Sequence, residues 1–288
     1  MAARGAGGRV SPGVRGGVIV VGGRRNGEGG GRGEERPGCV IDLDGTVYTA
    51  GRAIPGAARA IERLRSAGIP VVFATNTTRS PRRVLVERLR GMGITVEGSE
   101  LFTAPRAAAA WLRERGARRV MLLLPEVTWE EFGELERDDR SVEYVVVGDL
   151  GEAWTFERLN GAFHALLGGA ELLAIHKNRF WNPGDGPRLD AGPFVAALEY
   201  AVGKAATLVG KPSAAFFRTA AAALGVPLER VLVVGDAVLN DVRGGRAAGC
   251  RAVAVRTGSF REEDLAALEE PPEAVLDSLA DLPDYLGV

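Results

Sequence analysis

In the segment CVIDLDGTVY, Asp42 and Asp44 are separated by one leucine and follow the apolar run Cys39, Val40 and Ile41. A lone carboxylate is costly at the end of a buried run. Two carboxylates this close repel each other unless a cation or a shared proton compensates them. Two other apolar runs end in reactive polar residues: VVFAT ends in Thr75 and VLVVGD in Asp236. Lys211 follows TLVG and precedes a proline-led helical segment. Together these residue types suit chemistry at a phosphoryl group. Asp42 and Asp236 are hard oxygen ligands of the kind Mg²⁺ takes, and such an ion would compensate the charge of Asp42. A carboxylate can also accept a phosphoryl group as a nucleophile, a role open to Asp42. Asp44, with its side chain turned elsewhere, could protonate the leaving oxygen and then activate water. Thr75 and Lys211 would hold the phosphoryl oxygens.

Lysine usage sharpens the reading of Lys211. The only lysines are Lys177, Lys204 and Lys211, in a chain that otherwise writes Arg. A compact ammonium fits a tight phosphate and carboxylate site where a planar guanidinium does not. Two look-alikes fail. A calcium loop beginning at Asp42 needs an acid at its twelfth position, where Ala53 stands. Asp149 in VVVGDL imitates Asp236, but Trp154 stands where an acid follows in GDAVLND, so Asp149 reads as a loop residue.

These residues need elements that bring them together. Strand-like runs alternate with helical patterns from residue 39 onward. Expected strands are 39–43, PVVFAT, RRVMLLLP, EYVVVGD, ELLAIHK, TLVGKP, VLVVGD and RAVAV. Between them lie helices at about 56–67, 80–92, 105–115, near Glu130, 156–167, 192–202, 213–224 and 242–248. In the first helix Ala57, Ala60, Ile61 and Leu64 share one face. Such alternation predicts a doubly wound parallel α/β sheet, and in open sheets of that kind ligands bind outside the carboxyl ends of the strands. Asp42, Thr75 and Asp236 would then converge on one cleft.

The bulk composition narrows the partners. Hydrophobic content of 46% and charged content of 25% describe an ordinary globular chain. A net charge of −1 gives no field for nucleic acid or an anionic membrane. No apolar run approaches the ~18 residues of a membrane span. Cys39 and Cys250 are far apart and form neither a disulfide framework nor a metal-ligand spacing, so a reducing, cytoplasmic setting is expected. Residues 1–37 are dominated by Gly and Arg and read as a disordered extension.

DLDGT, the Thr75-Asn76 pair, the Lys211-Pro212 pair and GDAVLND resemble, in order and spacing, the four motifs of the haloacid dehalogenase superfamily in its capped, NagD-like class. GDLGEAWTFERLN, LLAIHKNRF and LDAGPFVAALEYAVGKAATLVGKPSAAFF resemble the phospholysine phosphohistidine inorganic pyrophosphate phosphatase-like subfamily. The resemblance implies a Rossmann-like core (38–117 and 207–288) with an inserted α/β cap domain (118–206). It implies a Mg²⁺-dependent phosphatase with Asp42 as nucleophile, Asp44 as acid and base, and Asp42, Asp44 and Asp236 in the metal set. Thr75, Asn76 and Lys211 would bind phosphate, and Asp241 would be a supporting carboxylate. Relatives often carry a second Asp after GD, where this chain has Ala237. The expected substrate is a small phosphorylated compound, and a homodimer through the cap is expected by the same analogy. A phosphotransferase or phosphomutase would use the same site with an acceptor hydroxyl in place of water. Because the core residues read only phosphate and metal, substrate choice is expected in residues 176–190, with His176, Lys177 and Trp181 as its candidates. The arginines of 79–90 read as a solvated face.

Overall fold

The computed structural model describes residues 19–20, 36–138, 141–181 and 186–288. Its larger sheet has seven strands in the order Ile19–Val20, Ala274–Leu276, Arg251–Val255, Val231–Gly235, Gly38–Asp42, Val71–Thr75 and Leu101–Thr103. All neighbours run parallel except the first pair. From Gly38–Asp42 in the middle, the chain builds toward the Leu101–Thr103 edge. It then returns to fill the other side from Val231–Gly235 outward. The order therefore reverses between Gly38–Asp42 and Val231–Gly235, and a crevice opens where strand order reverses in a doubly wound sheet.

The Asp42 strand is apolar throughout because both faces of the sheet are covered. Cys39 and Ile41 point into one core with Phe73, Leu64 and Leu89, while Val40 points into a second with Val72, Leu112 and Phe217. Helix Ala57–Ser66 turns Ala57, Ala60, Ile61 and Leu64 inward, the face its 3.6-residue period marks. Helix Ala104–Glu114 starts at Thr103, whose hydroxyl accepts the Arg106 N–H and caps the helix.

A second, five-stranded parallel sheet is inserted between Leu101–Thr103 and Val231–Gly235. Its order is Thr207–Leu208, Glu171–Ala174, Tyr144–Val147, Arg119–Leu123 and Glu136–Arg137. Helices Phe156–Leu167 and Ala191–Val202 cover one of its faces. On the other face, Val120, Leu122, Val146 and Leu173 join the apolar cluster that also holds Leu112 and Phe217.

Several elements differ from the sequence reading. The Asp42 strand closes at Asp42 rather than at residue 43. Near Glu130 the chain forms a 3-10 turn, Glu126–Phe132, in place of a helix. Thr207–Leu208 edge the second sheet, because Leu173 and Ala174 offer them parallel partners. Strands Leu101–Thr103 and Ala274–Leu276 were not anticipated; each has only three residues, too few for a period to register. Of the expected disordered extension, Ile19–Val20 pair with Val275 and Ala274, and nearly all the rest lies outside the described residues. No helix among the described residues is long and apolar enough to cross a membrane.

Candidate active site

Strand register brings the polar residues together. Ile41 pairs with Val234, so Asp42 lies beside Gly235 and Asp236 follows at the next position. On the other side Asp42 pairs with Ala74, and Thr75 is one residue further. Lys211 arrives from the loop after Thr207–Leu208, and its side chain is buried. Asn76 fixes that loop: its Oδ1 accepts the Lys211 N–H at 2.8 Å, and its Nδ2 donates to the Lys211 carbonyl at 3.0 Å. The Asn76 amide is thus engaged with the backbone that carries the lysine.

Carboxylate oxygens of Asp42, Asp236 and Asp241 all lie within 4.8 Å of one another, and all three residues are buried. The Lys211 ammonium donates to Asp42 Oδ1 and, at 2.7 Å, to Asp241 Oδ1. Asp42 Oδ2 is buried and accepts no hydrogen bond from the protein. Asp241 Oδ2 accepts the Ala237 N–H at 3.1 Å. Of the three expected metal residues, Asp42 and Asp236 lie in this cluster and the side chain of Asp44 does not; the third member is Asp241, expected as a supporting carboxylate. Asp44 Oδ2 instead accepts from Tyr48 Oη at 3.2 Å and from Thr75 Oγ1 at 3.4 Å.

The charges explain the tension in this cluster. Three carboxylates face one ammonium. Burial, followed by the charges of Asp42 and Asp241, pushes Asp236 up to about 8. Burial also pushes Asp241 up to about 6, against the pull of Lys211. Burial works against the charge of Lys211, but Asp241 and Asp42 outweigh it and hold the ammonium above its ordinary value. Asp44 is exposed to solvent, yet protein crowds most of its surroundings; that crowding and the Asp42 charge lift it to about 6.

Asp236 is gripped by groups that sequence reasoning passed over. Thr46 Oγ1 donates to its Oδ1 and accepts its N–H, both at 3.1 Å. Ser259 gives its N–H at 2.6 Å and its hydroxyl at 2.8 Å to Oδ2. Two glycines make room: a Cβ on Gly45 would lie 2.3 Å from Asp236 Oδ2, and one on Gly258 would lie 2.2 Å from it. Both have positive φ, +95° and +62°, which other residues rarely adopt. Ser259 follows the strand Arg251–Val255, so the strand-end logic that marks Asp236 also reaches it.

The candidates for substrate choice lie apart from the carboxylates. His176 is buried with Nε2 3.7 Å from Asp190 Oδ1, and burial lowers its pKa. Lys177 Nζ bonds both oxygens of Glu199, at 2.9 and 2.7 Å. Trp181 has the Arg79 guanidinium stacked on its ring at 3.8 Å. Helix Arg82–Gly91 is not simply a solvated face: Arg83 faces Glu130 at 3.4 Å and Arg82 faces Glu131 at 3.9 Å, both on the inserted segment.

Comparison with known proteins agrees with this architecture. Residues 39–136 match the family model described as haloacid dehalogenase-like hydrolase, and residues 208–282 match a related hydrolase-like model. The human haloacid dehalogenase-like hydrolase domain-containing protein 2 is 38% identical over 247 residues, covering 86% of this chain and 94% of that protein. The human phospholysine phosphohistidine inorganic pyrophosphate phosphatase is 35% identical over 255 residues, covering 86% of this chain and 93% of the other. Among solved structures, a p-nitrophenyl phosphatase from Archaeoglobus fulgidus superposes with a TM-score of 0.81 at 32% identity, covering 87% of this chain and 99% of that one. With four sequence motifs gathered at the switch point of one sheet and relatives matched across most of both lengths, the chain belongs to the haloacid dehalogenase-like hydrolase family.

Proposed function

We propose that the chain is a Mg²⁺-dependent phosphatase that hydrolyses a small phosphorylated compound through a phosphoaspartyl intermediate on Asp42. The observation that carries this reading is Asp42 itself. One of its oxygens is paired with Lys211, while Oδ2 is buried with no partner at the carboxyl end of the central strand. Such an oxygen is desolvated and oriented, which suits attack on phosphorus. The names of two relatives, a phospholysine phosphohistidine inorganic pyrophosphate phosphatase and a p-nitrophenyl phosphatase, support the same chemistry.

The donor set fits a hard divalent cation. Asp42, Asp236 and Asp241 would hold it, since three ionised carboxylates against one ammonium leave two negative charges uncompensated. When bound, Mg²⁺ supplies positive charge that relieves the repulsion between a carboxylate nucleophile and the phosphoryl oxygens. The remaining work belongs to side chains. Asp42 Oδ2 forms the bond to phosphorus as the bond to the leaving oxygen breaks. Asp44, whose raised pKa lets it hold a proton, gives that proton to the leaving oxygen. Asp44 then takes a proton from water, water oxygen bonds to phosphorus, and the phosphorus–Oδ2 bond breaks to restore Asp42. Lys211 fixes Asp42, Asn76 fixes Lys211, and Thr75 orients Asp44. Two buried free thiols, Cys39 and Cys250, suit a reducing, cytoplasmic compartment.

A screen for free phosphate over phosphorylated metabolites, with Mg²⁺ present, tests the reading. Turnover should vanish in chelator, return with Mg²⁺, and be absent in Asp42→Asn, whose amide cannot form the acyl phosphate. Substantial phosphate release by Asp42→Asn would overturn the mechanism. Transfer to an acceptor without free phosphate would mark a phosphotransferase instead.

A further inference from the structure

Arg79 lies between the Thr75-Asn76 pair and helix Arg82–Gly91, in what the sequence presents as a run of solvent-facing arginines. Its side chain instead crosses to the inserted segment. Nε and Nη2 each approach Asp149 Oδ2 at 2.5 Å. Asp149 is buried just beyond strand Tyr144–Val147, and its own N–H donates to Thr78 Oγ1 at 3.0 Å. This gives Asp149 the role its resemblance to Asp236 did not. The flat face of the same guanidinium stacks on Trp181 at 3.8 Å. A second fastening lies at the other side of the cleft: Asn240 Nδ2, between Asp236 and Asp241, donates to Asn178 Oδ1 at 3.0 Å.

Residues 178–181 are therefore tied to the core at two points. One is beside the loop of Thr75 and Asn76, the other inside the loop that carries Asp236 and Asp241. The segment thus runs from one loop to the other. The charges decide what kind of roof it would make. Arg79 is spent on Asp149, Lys177 is spent on Glu199, and His176 is buried with its pKa lowered. None of these three leaves an unpaired positive charge to seek an anionic leaving group, so what they contribute to discrimination rests on shape. A stacked guanidinium–indole pair is a stiff planar wall, since each plane restricts the other.

We propose that Arg79 is a specificity-determining positioning residue: by pairing with Asp149 and stacking on Trp181 it fixes residues 178–181 as a rigid roof that favours compact leaving groups over bulky aromatic ones. The proposal rests on the phosphatase reading. It is tested with Arg79→Ala, Arg79→Lys and Trp181→Ala, using glycerol phosphate as the compact substrate and p-nitrophenyl phosphate as the bulky one. In Arg79→Ala the kcat/KM ratio of bulky to compact substrate should rise about tenfold, mainly through KM. Inhibition by inorganic phosphate and Mg²⁺ dependence should stay at wild-type values. Arg79→Lys keeps the charge facing Asp149 but loses the planar stack, so it should shift the ratio partway. The double variant Arg79→Ala/Trp181→Ala should exceed neither single change, because both remove one wall. Equal losses on both substrates, or an unchanged ratio, would overturn the proposal. Amide hydrogen exchange at residues 177–181 gives an arm independent of turnover: faster exchange in Arg79→Ala and, less so, in Arg79→Lys supports the fastening, and unchanged exchange refutes it. A wild-type protein inert on both esters would count against the phosphatase reading, while the exchange arm would still decide the role of Arg79.

Discussion

Removing divalent cations should make stability fall with rising pH through a range where most proteins are indifferent to it. The cause is Asp236, buried against Asp42 and Asp241 and pushed up to about 8. In the unfolded chain an aspartate titrates at about 3.9. A carboxyl whose folded pKa is raised takes up a proton on folding, so its contribution is most favourable at low pH and is lost as pH climbs toward the folded pKa. His176 acts in the opposite sense. Burial lowers its pKa, so it costs stability only as pH drops below the free imidazole value of about 6.5. The window from pH 6.5 to 8 therefore belongs to Asp236. Across it the loss is on the order of 1.5–2 kcal/mol, which for a chain of this size lowers Tm by roughly 3–6 °C. Thermal unfolding followed by circular dichroism in chelator at pH 6.5, 7.2 and 8 reads this directly. Excess Mg²⁺ should flatten the dependence, because a bound cation favours the ionised carboxylates, and Asp236→Asn should flatten it without metal. Equal melting temperatures at pH 6.5 and 8 in chelator would refute the reasoning. Persistence of the slope in Asp236→Asn would assign it to another group.

Asp44→Asn should lower kcat/KM, which reports the steps up to departure of the leaving group, by about 10²–10⁴ on alkyl phosphates and by much less on p-nitrophenyl phosphate, whose phenolate leaves without a proton; equal losses of kcat/KM on both esters would remove Asp44 from leaving-group protonation. Gly258→Ala should destabilise the protein by about 3 kcal/mol in urea titrations, from a strained positive φ and from Asp236 being driven off its Ser259 bonds. Its Cβ would lie 2.2 Å from Asp236 Oδ2, so a loss under ~1 kcal/mol would show that the carboxylate moves aside freely.

The parts of the site legible in the sequence share a physical cause. Asp42 and Thr75 close, and Asp236 directly follows, a strand buried on both faces, so an apolar run breaks visibly at a polar residue. Lys211 stood out because the chain otherwise avoids lysine. What stayed hidden is held by contacts between distant segments. Thr46 grips Asp236 across 190 positions and Asn178 meets Asn240 across 62. No local period records such pairings. Arg79 was misread for a related reason: among several arginines only the fold selects the one that meets Asp149 and Trp181. The exchange of Asp44 for Asp241 in the carboxylate cluster depends on Tyr48 and Thr75 drawing Asp44 aside, a matter of side-chain direction rather than spacing.

The pair of hydrogen bonds from the Asn76 amide to the Lys211 backbone joins the chain across 135 residues, and the whole second sheet lies within that span. It works as a drawstring at the neck of a bag. Whatever the contents, the neck stays closed and the lysine stays aimed at Asp42. Insertions, deletions and exchanges of strands inside the span can then accumulate without moving Lys211 away from Asp42. Such an arrangement separates what can drift from what must hold: the enclosed segment can be rebuilt while the strand ends from which it hangs keep their places.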